Sequence, residues 1–184
     1  MTMVNVLVLL ASLLMPAANP PDGTVIFVTQ SGRQDVLAKK IEQATGDNIS
    51  HTAIILYEDD QPYVYESTIP GGVQRNKLKD YMKKVNGLKS AFPTKGMQIH
   101  LIPPDPEYNA DELIRMKHYA NSQLGRPYMI RGWWKGKEVR GMHCSQYVGN
   151  IISRSGRIES FNYKESPASL YVKLEAIELV ESHQ

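Results

Sequence analysis

One cysteine, Cys144, stands in a chain of 184 residues. A single thiol cannot close an internal disulfide, so the shape has to come from a packed core. The length suffices for one domain with such a core and is short for two. The residues around the thiol give the clearest local element. In Gly141-Met142-His143-Cys144-Ser145-Gln146-Tyr147-Val148 the glycine marks a turn, and from Ser145 on Val148, Ile151 and Ile152 recur at helical spacing. Gly156 is suited to ending that helix. Cys144 is therefore expected in a first helical turn, where unpaired N–H groups and the helix dipole favour negative charge. Such a place lowers a thiol pKa, favours the nucleophilic thiolate and offers N–H groups to an oxyanion. A lone cysteine is also often a small buried hydrophobe, so the rest of the chain has to decide.

The elements before it alternate in a readable order. Thr24 to Thr29 is rich in β-branched residues and reads as a strand, and Ser31 to Ala44 as a helix with Val36, Leu37, Ile41 and Ala44 on one face. Ile49 to Tyr57 and Tyr63 to Thr68 read as two strands of an antiparallel hairpin, joined by a polar loop over 58–62. Val73-Gln74-Arg75 reads as a short strand, followed by a short helix through Leu78, Tyr81 and Met82 and a loose, lysine-bearing stretch over 83–96. Met97 to Ile102 is a strand stopped by Pro103-Pro104. Asn109 with Glu112 three residues on makes a capping box for a helix whose face is Leu113, Met116, Ala120 and Leu124. After the cysteine helix the spacing predicts a short helical piece around Ser169-Leu170-Tyr171 and a last strand over Ala176 to Val180. Strands joined by hairpins and then helices predict an α+β fold with an antiparallel sheet.

The N-terminus differs from this. Val4 to Leu14 is almost continuously apolar and no charged side chain precedes Asp22. The run is short for a bilayer span, and a small-residue and proline stretch follows at 15–21. Residues 1–18 read as a secretory signal peptide, although it lacks the usual basic start, and 19–184 as one domain. Export to the periplasm or outside the cell, with cell-envelope association, follows from that reading. The alternative is a buried N-terminal strand or helix. A net charge of +2 with no dense basic run gives no argument for nucleic acid. No dinucleotide or phosphate-loop fingerprint implies a cofactor, and no His/Cys cluster has metal-ligand spacing.

A cysteine nucleophile needs a base, and the base an orienting partner. Of the five histidines, His183 lies in the tail, His118 among polar helix neighbours and His100 inside a strand. His143 adjoins Cys144; neighbouring helical positions face apart, which leaves it as a residue that could flank the site. His51 opens a buried-looking strand, and a five-residue loop would set Glu66 across from it at the same end of the hairpin, within reach of a carboxylate–imidazole contact. Taken singly, His51 reads equally as a core or turn histidine and Glu66 as a surface carboxylate.

Asp22-Gly23-Thr24-Val25-Ile26-Phe27, Ile49 to Ile55, Tyr63 to Ser67, Gly72-Val73, Leu124 to Tyr128 and His143 to Val148 together resemble the circularly permuted papain-fold amidases, the NlpC-related group typified by YaeF/YiiX-like proteins. The pieces run in the family's order over about residues 22–155. The resemblance implies a permuted papain-like fold and a Cys-His-Glu triad, with Cys144 as nucleophile, His51 as base and Glu66 as orienter. Tyr128 matches a tyrosine near the oxyanion site of related enzymes. Two positions depart from the pattern: Met129 and Gln146 stand where the family often has acidic residues. The implied function is a cysteine hydrolase of amide bonds, with cell-wall peptides as one substrate class. Because the permuted fold also resembles lecithin–retinol acyltransferase, a lipid acyl hydrolase or acyltransferase is the first alternative, with Trp133, Trp134 and Met129 as substrate-pocket residues. A catalytically silent binding module is the second.

Overall fold

The computed structural model describes residues 20–30, 49–91, 97–130, 140–159 and 164–181. The helix expected over 31–44 and the expected signal peptide lie outside them. Five antiparallel strands form one sheet in the order β4-β3-β2-β1-β5: β1 (Val25–Gln30), β2 (Ile49–Glu58), β3 (Gln61–Thr68), β4 (Gly72–Lys77) and β5 (Met97–Ile102). The helices are α1 (Leu78–Ala91), α2 (Ala110–Ser122), α3 (Cys144–Ser153) and α4 (Pro167–Glu181).

Strand alternation gives the sheet two apolar faces. Phe27, Ile54, Leu56 and Tyr65 point to one, where Met116 and Ala120 of α2, Tyr147, Val148, Ile151 and Ile152 of α3, and Leu170 and Leu174 of α4 cover them. Ile26, Val28, Ala53, Ile55 and Val64 point to the other, under Tyr81 and Val85 of α1. Helices therefore pack on both sides, and α3 runs against β2 and β3.

Three expectations are corrected. The hairpin between β2 and β3 has a two-residue turn, Asp59-Asp60, both at positive φ of 48° and 61°. Aspartate tolerates that region, which suits the twist of paired strands, so Glu58 and Gln61 extend the ladder that polarity alone made a loop. The helix after β4 runs on to Ala91 rather than fading at 83, because Leu78, Tyr81, Met82 and Val85 keep the i, i+3, i+4, i+7 stripe against the sheet. The predicted C-terminal strand is the second half of α4. Ser166 and Ser169 cap that helix reciprocally, each backbone N–H reaching the other's hydroxyl, and no glycine or proline interrupts it afterwards. Its apolar residues surround the axis too evenly for a period to show in the sequence.

The capping box of α2 forms as its spacing predicts, with Asn109 Oδ1 accepting from Glu112 N–H at 3.0 Å and Glu112 from Asn109 N–H at 2.8 Å. Glu112 also takes Arg157 Nε and Nη2 at 2.7 Å each, which ties the segment after α3 to the start of α2. The Arg157 bonds hold the Glu112 carboxyl down at about 2. Charge-assisted bonds of this kind are worth about 1.5–3 kcal/mol, so Arg157→Ala should cost roughly 2 kcal/mol in a urea melt. The depressed carboxyl sets the sign: the gap from wild type is full above the ordinary carboxyl pKa and closes as pH falls through about 2. A gap that stays constant down to pH 2 would contradict this.

Candidate active site

The site forms where one end of the sheet meets the N-terminus of α3. Against β1, β2 carries a bulge: Val28 pairs with His51 but Thr29 with Ile49, leaving Ser50 as the extra residue. The Ser50 hydroxyl donates to the Val28 carbonyl at 3.3 Å. The bulge turns Ile49 to the α2–α3 face with Ile54 and Leu56, while His51 keeps the side of Ala53 and Ile55. Bulges commonly re-aim a side chain in this way.

Glu66 stands opposite Ala53, not opposite His51 as the sequence spacing suggested. Glu66 thus pairs two positions along from His51, so the two are diagonal neighbours on one face, a separation long side chains still span. Glu66 Oε2 lies 3.0 Å from His51 Nε2. Its other oxygen accepts from Gln74 Nε2 at 3.0 Å and Asn76 Nδ2 at 3.3 Å. Gln74 is the direct partner of Glu66 on β4. These two amides were not singled out in the sequence, although their alternate positions on the neighbouring strand were a readable signal. Glu66 is 2% exposed, and a carboxylate buried so far needs donors on both oxygens.

Cys144 is buried at the first position of α3. Since Nε2 of His51 faces Glu66, the other ring nitrogen, Nδ1, is the one left for the Cys144 side chain, close enough for each group to shift the other's pKa. Burial opposes the imidazolium, but bonds to Cys144 and Glu66 and their charges outweigh it and raise His51 to about 10. Burial likewise opposes the thiolate, and bonds from His143 and His51 outweigh it and bring Cys144 down to about 5. Burial also pushes the Glu66 carboxyl up, yet the His51 contact and charge and the Gln74 bond leave it below the ordinary range. This is a chain of three groups whose charged forms stabilise one another.

Tyr128 and Tyr81 border it. Burial, and then the negative charge at Cys144, raises the Tyr128 phenol. Burial, with charge from Glu66 and Cys144, raises Tyr81. Tyr81 read only as part of an apolar helix face in the sequence. Tyr128 is held by a parallel bridge to Met142, with Met142 N–H on Pro127 O at 3.1 Å and Met129 N–H on Met142 O at 3.2 Å. The same segment is bonded to β4 through Val73 and Arg126, and Ser67 Oγ donates to Met142 O at 2.8 Å. Met129 is half-buried, with its Cβ over Gly141. Trp133 and Trp134 lie outside the described residues.

The antiparallel sheet of this order with the helix that opens on Cys144 is a permuted papain-like fold. The family of permuted papain-like amidase enzymes (YaeF/YiiX, C92 family) matches residues 19–173, and the chain belongs to it. The uncharacterized protein YiiX of Escherichia coli (strain K12) is 25% identical over 150 residues, covering 82% of this chain, and the chain spans 66% of that relative's length. A crystal structure of YiiX from Escherichia coli O157:H7, described as a metalloprotein, shares the fold with a TM-score of 0.55 and 21% identity, over 75% of this chain and 67% of that one. Among the described residues here no group of three or more His, Cys, Asp and Glu side chains is placed to hold a metal ion. His51 and Glu66 beside Cys144 already bond each other, and the His143 ring meets Ser145 Oγ and Gln146 N–H.

Gly141 decides how close the bridge segment comes to the thiol. A Cβ there would stand 2.3 Å from the Pro127 carbonyl oxygen, a backbone atom that cannot swing aside. Gly141→Ala should therefore destabilise the fold by about 1–3 kcal/mol and slow iodoacetamide labelling of Cys144 in the protein that remains folded. Wild-type melting and labelling in that variant would show that the bridge does not position the thiol.

Proposed function

We propose that the protein is a cysteine hydrolase that cleaves amide bonds, with Cys144 as nucleophile, His51 as general acid and base and Glu66 as the group that orients His51. One observation carries the reading: a single imidazole lies between a buried carboxylate at 3.0 Å and the buried thiol at a helix N-terminus. The Cys144 thiolate attacks the amide carbonyl, forming an S–C bond. Helix bonding begins with Tyr147 N–H on His143 O, and Gln146 N–H is taken by the His143 ring. That leaves the N–H groups of Cys144 and Ser145 for the oxyanion, with Tyr128 beside it. As the C–N bond breaks, His51 gives its proton to the leaving amine. Water then loses a proton to His51 and attacks the thioester, and the acid and the thiolate are released.

Cell-wall peptides are the proposed substrate class. The membership of an amidase family and the apolar run and small-residue stretch at 4–21, which suit an exported protein, support this choice. The described groups that interact with Cys144, namely His51, His143, Tyr81 and Tyr128, carry polar atoms, which favours an amide over a lipid acyl chain.

The shifts set the pH dependence. A lowered thiol is ionised above about 5, and a raised imidazole keeps its proton up to about 10. Iodoacetamide labelling of Cys144 should rise through about pH 5 and then stay level. Release of peptides from isolated cell wall, followed by mass spectrometry, should have a second limb near pH 10, where His51 loses the proton it must donate. Cys144→Ala should abolish release with the fold intact. Slow labelling that climbs only near the ordinary thiol pKa of about 8.5, or undiminished release by Cys144→Ala, would overturn the assignment.

A further inference from the structure

The turn between β3 and β4 reaches the carboxylate of the proposed triad through one side chain, Gln74. Gln74 is half-buried and pairs directly with Glu66 across the β3–β4 ladder. Successive strand residues alternate faces, so Gln74 and Asn76 share the Glu66 side while Arg75 points to the other, onto Glu58. Gln74 Nε2 donates to Glu66 Oε1 at 3.0 Å and to Thr68 Oγ1 at 3.1 Å. Both hydrogens of the amide nitrogen are thereby used, which fixes the amide's orientation. Reversed, its carbonyl oxygen would lie against a carboxylate oxygen, acceptor to acceptor. Asn76 Nδ2 donates to the same Oε1 from further off, at 3.3 Å.

Both amides meet one oxygen of the carboxylate. Oε1 is held from the β4 side, and Oε2, 3.0 Å from His51 Nε2, is left to the imidazole. A carboxylate held at one oxygen turns easily about its last side-chain bond, and one held at both does not. Gly71 makes room for this arrangement. A Cβ there would stand 2.6 Å from Gln74 Oε1 and 3.2 Å from Gln74 Nε2, and atoms of this amide are the nearest it would meet. We propose that Gln74 is a positioning residue for the catalytic group, fixing the Glu66 carboxylate so that Oε2 faces His51, in a space that Gly71 keeps open. This rests on Glu66 orienting His51 in the proposed function.

The amide acts on the proton as well as on the geometry. A carboxylate stripped of donors is the stronger base. With the Gln74 N–H in place, the proton between Oε2 and Nε2 stays on the imidazole. Without it, Glu66 competes for that proton, and the thiolate loses part of its positive partner. The titratable groups that interact with Glu66 are His51 from β2 and Tyr81 and Lys84 from α1, and all three are kept in the variants that test the inference.

The test follows iodoacetamide labelling of Cys144 against pH in wild type, Gln74→Met, Gly71→Ala and Arg75→Ala, with thermal melts of each. Methionine is unbranched and flexible like glutamine but has no N–H. Gly71→Ala retains Gln74 and pushes its amide, the free end of a flexible side chain, off Glu66. Arg75→Ala loosens the same strand on its other face. The labelling midpoint, at about pH 5 in wild type, should rise in Gln74→Met and in Gly71→Ala. A rise of about half to one unit slows labelling at pH 4 by about three- to tenfold. Arg75→Ala should lower the melt and leave the midpoint. In protein with 15N-labelled histidine, the His51 ring should lose its proton at lower pH in Gln74→Met than in wild type. An unchanged midpoint and His51 titration in folded Gln74→Met overturn this inference and leave the triad standing. An equal rise in Arg75→Ala does the same, and so does a wild-type midpoint in Gly71→Ala, whether or not Gln74→Met folds. Wild type that labels only as an ordinary thiol overturns the triad itself.

Discussion

A thiolate buried at position 144 is stable only if something replaces the water it has lost. Most of the local structure can be understood as supplying that replacement. The helix N-terminus contributes the dipole and two N–H groups, His51 a positive charge, and Glu66 the negative charge that keeps the imidazole protonated. Glu66 in turn is satisfied by two amides from β4. Each member would be costly alone. A carboxylate 2% exposed with an oxygen unpaired would lose several kcal/mol of solvation, and without Glu66 the ring would give up its proton to burial. The order of strands β4-β3-β2 is thus also the order of electrostatic support, from amide to carboxylate to imidazole, ending at the sulfur on α3.

Backbone devices hold that order in register. The bulge at Ser50 sends Ile49 into the α3 side of the core while His51 stays on the opposite face at the strand's end. The bridge segment from Gly125 to Met129 is bonded to β4 on one side and to Met142 on the other. It approaches β4 so closely that a Cβ at Gly72 would lie 2.4 Å from the Arg126 carbonyl oxygen. Ser67 then fastens β3 to Met142, two residues before the thiol. The position of Cys144 relative to His51 is set by covalent neighbours bonded to two strands, which is why a residue so far along the chain meets the β2–β3 hairpin.

Much of this was legible in the sequence, for identifiable reasons. The sheet strands carry β-branched residues in runs, the α2 capping box has a fixed spacing, and Cys144 precedes a clear helical face. The meeting of Cys144, His51 and Glu66 was readable from residue type and chain order. The direct cross-strand pairing expected for His51 and Glu66 was not right: a loop over 58–62 would face Tyr57 with Tyr63 and so Glu66 with Ile54, and the ladder that closes at Asp59-Asp60 sets Glu66 against Ala53, diagonal to His51. Signals that need a partner in space were missed. Gln74 and Asn76 are ordinary strand residues until Glu66 is placed beside them, and Tyr81 is an apolar-face residue until the sheet end is seen beneath it. α4 escaped because periodicity reveals a helix only where one side is apolar.

Gln146 shows what the nucleophile's position excludes. It is the third residue of α3, where a glutamate or glutamine commonly completes a capping box by reaching back to the N-cap. Here only half the box forms: Gln146 N–H bonds the His143 ring, while its buried Oε1 has no partner among the described residues. Leaving such an acceptor unpaired costs about 1–3 kcal/mol. A glutamate there would gain from the helix dipole, but its charge would compete with the thiolate for the same field and the same N–H groups. The neutral amide leaves Cys144 as the only acidic side chain in the first turn of α3. The helix dipole then meets one ionisable group in that turn, the thiol, rather than two negative charges that would repel each other.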